Sequence, residues 1–264
     1  MSAEVVTVVL SGRPGGTTHR AVEVLASLPP ELRLIGGLAV MCRVGTPYRA
    51  TVDLDALTRG LHSQHDVLSH LAMTAPGGGQ YRFDNDLELD VIDVSPSDAD
   101  ELAAMLVAAG DVTDLELNLV AHTWAHDSAA PMDILVIDEH GVPLAEAHQR
   151  LVAIPSGLVA MKVTTVPLRA SHRAEKRASD LYDIGRLLVL FGSRMGSGLA
   201  SMPTMLSDVI AVRLRRWFDD PAGRDRTYRE LRRFDDPGVD LDEVSDVLAE
   251  LLPPLQPSVD WPGI

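Results

Sequence analysis

The chain has 264 residues, 46% of them hydrophobic, and a mean hydropathy of +0.08, the composition of a globular protein with ample length for a core. A formal net charge of −15 argues against generic nucleic-acid binding, which needs a positive footprint, and no run approaches the roughly 18 apolar residues that span a bilayer. One cysteine, Cys42, excludes an internal disulfide and any cysteine-based zinc spacing.

In chain order, MSAEVVTVVLSGRPGG sets an acid, not a basic region, before a very short apolar run, so it does not read as a secretory signal. With Cys42 read as a small buried residue, the expected location is cytoplasmic. A short-strand or irregular lead-in is followed by a helix over Arg20 to Leu28, with Ala21, Val22, Val24, Leu25 and Leu28 as its apolar stripe and Pro29-Pro30 as its stop. A strand starts at Leu34-Ile35, and Gly36-Gly37 turns it into a helix over Leu38 to Arg43, broken by Gly45 and Pro47. Ala50 to Leu57 reads as a strand. It carries Asp53 and Asp55 at i and i+2, so both carboxylates project from one face.

Leu61 to Met73 reads as a helix, Gly77-Gly78-Gly79 as a break, and Gln80–Phe83 with Leu87–Val94 as a hairpin turned at Asp84-Asn85-Asp86. Within the second arm Asp90 is an acid between apolar Leu89 and Val91, and Asp93 points to the opposite face. A helix is expected from Asp98 to Ala109, with Ser97 as N-cap, and strands over Leu115–Trp124, Met132–Ile137 and His148–Ile154. His122, His126, His140 and His148 match no zinc spacing and read as surface or sheet-edge residues. Beyond Pro155 the pattern is mostly helical. The expected architecture is α+β, a mixed sheet with flanking helices over residues 1–155 and a helical domain over 156–264. Between Arg213 and Arg233, eight arginines (213, 215, 216, 224, 226, 229, 232 and 233) stand against four acids. They form a basic patch that reads either as a solvated helical face or as a holder of a polynucleotide backbone.

The order of a glycine pair, a helix and a D-x-D strand resembles the DNA polymerase beta-like nucleotidyltransferase superfamily. The fuller pattern GG…R-x-T-x-D-x-D, written by Gly36, Gly37, Arg49, Thr51, Asp53 and Asp55, looks like its AbiEii/MenT branch, the toxins of type IV-like toxin–antitoxin systems. Leu89-Asp90-Val91-Ile92 resembles the strand that bears the family's third carboxylate, with Asp133 as a rival. Lys162 matches the family's helical lysine, and Asp180, Tyr182 and Asp183 match its D-x-y-D signature. Ser179 departs from it, standing where the family has a lysine.

The resemblance implies a Mg²⁺- or Mn²⁺-dependent transfer of a nucleoside monophosphate from an NTP, most favourably to the tRNA 3′ end. Asp53 and Asp55 would hold metal, Asp90 would bind metal or activate the acceptor hydroxyl, and Gly36, Gly37, Arg49, Thr51 and Lys162 would hold the triphosphate. Asp180 would orient Lys162 or touch the nucleotide or metal, in a cleft between the two halves. A cognate antitoxin and no membrane partner are implied. Transfer to a small molecule or a protein, and a catalytically silent module of the same fold, are the alternatives.

Overall fold

A computed structural model of the chain describes residues 5–46, 53–84, 87–169, 173–234 and 239–252. The chain divides into two units, residues 1–168 and 169–264. The boundary expected near residue 155 falls at the start of a helix that belongs to the first unit.

The first unit is organised on an eight-stranded mixed sheet, ordered β1-β7-β8-β2-β3-β6-β5-β4. Its elements in sequence are β1 (Val6–Ser11), α1 (Thr17–Ser27), β2 (Arg33–Ile35), α2 (Gly36–Val44), β3 (Asp53–Thr58), α3 (Leu61–Leu71), β4 (Thr74–Gly77), β5 (Gln80–Arg82) and β6 (Glu88–Asp93). They continue with α4 (Ala99–Ala109), α5 (Asp114–Asp127), β7 (Ala130–Ile137), β8 (Pro143–Val152) and α6 (Pro155–Thr165). β3 runs antiparallel to β2 and parallel to β6, and β5 closes an antiparallel hairpin on β6. Period-two patterning puts Leu54, Ala56, Leu89, Val91 and Tyr81 on the buried face of these three central strands.

Three expectations are overturned here. Leu115–Trp124 is not a strand but part of α5. Its alternating Leu115, Leu117 and Leu119 mimic a strand, yet Leu117, Val120, Ala121, Trp124 and Ala125 are the buried set, a helical stripe, and Leu115 is left 68% exposed. A capping box fixes the start of the helix. Thr113 Oγ1 accepts from the Glu116 amide at 3.3 Å, and Glu116 Oε2 accepts from the Thr113 amide at 2.8 Å. Because α5 packs on the sheet and on α6, His122 and His126 are buried rather than at the surface. The cap of α4 is Asp98, not Ser97, its carboxylate accepting from the Glu101 amide at 2.9 Å. Gly157 lets α6 lie close on α5, since a Cβ there would sit 3.3 Å from the Ala125 backbone.

The second unit is helical: α7 (Ala174–Phe191), α8 (Gly196–Ala200), α9 (Thr204–Phe218), α10 (Pro221–Leu231) and α11 (Leu241–Leu251). Its core joins Leu181, Ile184 and Leu188 of α7 to Leu206, Ile210, Leu214 and Phe218 of α9 and to Val244 and Leu248 of α11. Proline opens α10 at its first position, where its missing N–H costs no hydrogen bond, and Asp220 caps the helix by accepting from the Gly223 amide at 3.0 Å. Among the described residues no helix is long and apolar enough to cross a membrane.

Candidate active site

The site is built where β2 turns into α2. Gly36 has φ +67, a left-handed conformation that favours glycine, and no Cβ could be accommodated without displacing Asp55. An added Cβ would fall on Asp55 Oδ2 and lie 2.7 Å from its Cγ. The backbone at the start of α2 therefore runs directly against the Asp55 carboxylate. The N-cap residue of α2 is Ile35, which supplies no side-chain cap, so the first turn offers backbone N–H donors of the kind that seat a phosphate. Gly37 is buried in that turn.

Strand register brings the third carboxylate alongside. In the parallel β3–β6 ladder Asp55 pairs with Asp90 and Asp53 with Glu88. Paired residues on neighbouring strands share a face about 5 Å apart. Asp53, Asp55, Asp90 and Glu88 therefore form a block of acids on one face, each partly exposed, over the apolar layer of Leu54, Ala56, Leu89 and Val91. The ladder continues onto β5, where Gln80 pairs with Asp90 and Arg82 with Glu88. Arg82 Nε and Glu88 Oε1 are 2.9 Å apart. Glu88, Gln80 and Arg82 were not singled out from the sequence. The signal was present: Glu88 precedes Asp90 by two residues, as Asp53 precedes Asp55, and the hairpin register carries the same face onto β5.

Asp93 points away from this block, as expected, and accepts from the amides of Gly60 at 2.8 Å and Leu61 at 3.1 Å, holding the start of α3. Asp133 lies on β7, three strands from β3 in the sheet order. It accepts from the Gln149 amide at 2.7 Å, where Gln149 takes φ +49 at an irregularity of the β7–β8 pairing. Asp133 is thus engaged in holding a bulge. Arg49 and Thr51 lie outside the described residues.

Lys162 is 7% exposed on α6, a helix packed against both α5 and α2. Asp180 belongs to the second unit. It is buried on α7, and Arg169 Nε donates to its Oδ2 at 3.0 Å. Asp183 is fully buried on the same helix, and Tyr182 stacks on Phe234 at 4.6 Å between ring centroids.

The arginines of the basic patch separate into two groups. Arg213 is buried, Arg215 donates to the Leu252 carbonyl at 3.0 Å, and Arg224 donates to the Leu241 carbonyl at 3.0 Å and pairs with Asp242. Arg215 and Arg224 tie the second unit together. Arg216, Arg226, Arg229, Arg232 and Arg233 are exposed; Arg226 pairs with Glu230 at 3.1 Å, and Arg232 stacks 5.9 Å from the Tyr228 ring centroid.

Among the described residues no group of three or more His, Cys, Asp and Glu side chains closes around a single cation position. The donor set still suits a hard divalent cation. Mg²⁺ is commonly held by one or two carboxylates, with substrate phosphates completing its shell, and Asp53 and Asp55 supply two on one face.

Residues 21–261 match the family described as nucleotidyl transferase AbiEii toxin, Type IV TA system. That span takes in both units, and the chain belongs to the AbiEii family of nucleotidyltransferase toxins. No curated protein matches the chain significantly.

Proposed function

We propose that this AbiEii-family chain transfers a nucleoside monophosphate from an NTP to an acceptor hydroxyl, that of the tRNA 3′ end, and thereby acts as a growth-arresting toxin controlled by a cognate antitoxin. The observation that carries the reading is the row Gly36–Asp55–Asp90, in which a glycine turn and two carboxylates succeed one another across β2, β3 and β6.

In-line displacement places the leaving and attacking oxygens on opposite sides of the transferred phosphorus. The row has that polarity. The triphosphate seats on the backbone amides at Gly36 and Gly37, so the pyrophosphate leaves on the α2 side. The acceptor hydroxyl enters from the β6 side and gives its proton to Asp90 as its oxygen bonds to the α-phosphorus and the bond to the β-phosphate oxygen breaks. Mg²⁺ held by Asp53 and Asp55 would neutralise charge on the phosphates. Lys162, on the helix packed against α2, would add a point charge toward the triphosphate. Asp180 fixes Arg169, and through it the start of the second unit.

The test is labelling with each α-³²P-NTP in a mixture of total RNA and lysate, resolved by size. Label should enter the tRNA band, need Mg²⁺, and vanish with Asp53→Ala. Label in protein or small molecules instead would move the acceptor to those classes, and no labelling by wild-type protein with any of the four NTPs would count against catalysis.

A further inference from the structure

Beyond the carboxylates, the described residues of the central strands bring one cation, Arg82, onto the site face. Among the described residues of β3, β6 and β5, the side chains sharing the Asp53–Asp55 face include four acids (Asp53, Asp55, Glu88 and Asp90) and a single base, Arg82. Arg82 is directly opposite Glu88 and diagonal to Asp90, a relation that spans about 7–8 Å across an antiparallel pair, within reach of a long side chain.

The sheet order gives that placement a direction. Gly36 lies beyond Asp55 on the β2 side, and Arg82 lies beyond Asp90 on the opposite side. A group at Arg82 is therefore separated from the glycine turn by β3 and β6. With the proposed direction of attack, it lies on the acceptor side and not on the triphosphate side. An acceptor that is a polynucleotide end brings further backbone phosphates with it, onto a face whose other charges, among the described residues of these strands, are negative. Such phosphates need a cation at this place, because phosphate contacts dominate polynucleotide affinity. A small uncharged acceptor needs none.

We propose that Arg82, positioned by Glu88, binds a backbone phosphate of the acceptor strand adjacent to the reacting 3′ hydroxyl, and so acts as a specificity-determining residue for the polynucleotide acceptor proposed above. The ion pair at 2.9 Å engages the guanidinium at Nε, one of its five N–H donors, and orients a fork suited to phosphate. Both partners are substantially exposed, 61% for Arg82 and 44% for Glu88, so the pair is reachable from solvent and adds little to the stability of the fold. This inference rests on the nucleotidyl-transfer reading for the direction of attack, but its principal test does not.

The experiment uses the full chain with unmodified total tRNA as the probe. Binding is followed by fluorescence anisotropy over a salt series, and transfer is followed separately with tRNA and NTP varied in turn. Arg82→Ala should weaken tRNA binding about tenfold. It should lower the slope of log affinity against log salt by about 0.7, the value for one single-strand phosphate contact. It should raise the KM for tRNA while leaving the KM for NTP unchanged. Arg82→Lys should restore the salt slope, because the charge returns, but only part of the affinity, because the fork does not.

Glu88→Gln should preserve the salt slope. An Arg82→Ala protein with wild-type tRNA affinity and slope overturns the proposal, as does a raised KM for NTP. Transfer to a protein or small molecule that Arg82→Ala leaves unaltered also overturns it, with nucleotidyl transfer itself left standing. If wild-type protein transfers nothing but loses tRNA affinity and slope with Arg82→Ala, the phosphate contact stands and the catalytic reading fails.

Discussion

Gly36 and His126 show how much a single residue's surroundings decide. At Gly36 the φ of +67 and the Asp55 carboxylate both oppose a side chain. Gly36→Ala is expected to cost about 1–3 kcal/mol from the left-handed backbone alone. It should also abolish nucleotide labelling, because the methyl group must displace Asp55; thermal melting and α-³²P-NTP labelling measure the two effects. His126 is 7% exposed at the end of α5, its Nδ1 2.9 Å from Asp127 Oδ1, with Arg33 and Arg59 nearby. Burial lowers its pKa, only partly opposed by the Asp127 hydrogen bond. The folded state therefore resists a proton that the unfolded chain takes up near its ordinary pKa of about 6.5. Stability from this residue is present above that pH and is lost as pH falls from about 6.5 through the lowered value. His126→Gln should lose less Tm than wild type between pH 7.5 and pH 5.5. An equal loss in both proteins would assign the acid sensitivity elsewhere.

At the scale of elements, the central hairpin and α5 are held by local chemistry as much as by packing. Thr113 and Glu116 close a reciprocal cap at the start of α5, which buries Trp124 and Ala125 against α6 and the sheet. Thr113→Ala removes the hydroxyl that accepts from the Glu116 amide, and should lower Tm by roughly 2–4 °C without changing labelling. Loss of activity at unchanged Tm would show that the cap does more than start the helix. β3 and β6 present a different logic. Their apolar face fixes register, because a slip of one residue would turn Asp53, Asp55 and Asp90 into the core and Leu54, Ala56 and Leu89 to solvent. The acidic face is thus aligned by the buried one.

The whole molecule is two units with separate cores. In the second, Arg177 Nε donates to both carboxylate oxygens of Glu230, at 3.1 and 3.0 Å, and its guanidinium lies 5.9 Å from the Trp217 ring centroid. Both members of the pair are largely buried, at 16% and 13% exposure. Glu230→Ala leaves the Arg177 charge without its partner and should destabilise the second unit by about 1–3 kcal/mol. Hydrogen exchange by mass spectrometry should then rise in α7 and α10 and stay unchanged in β3 and β6. A rise in both sets would show that the units unfold as one.

Much of this was legible in the chain. The glycine pair, the D-x-D strand and the hairpin bearing Asp90 follow from period-two alternation and turn residues, which are local properties that the sequence writes directly. The sequence also carried the AbiEii resemblance and a helical second half. It misread α5, because leucines at alternate positions imitate a strand when the capping residues and the buried stripe are not weighed against them. It missed Glu88 and Arg82 as members of the site face. What only the tertiary structure decided was adjacency: that Asp55 pairs with Asp90 across a parallel ladder, that Asp133 lies three strands away, and that Arg213, Arg215 and Arg224 are bound into their own unit instead of forming a free basic face. The reason is physical. Alternation along a strand is fixed by the backbone of that strand, whereas register between strands, and the burial of a long charged side chain, are set by partners distant in sequence.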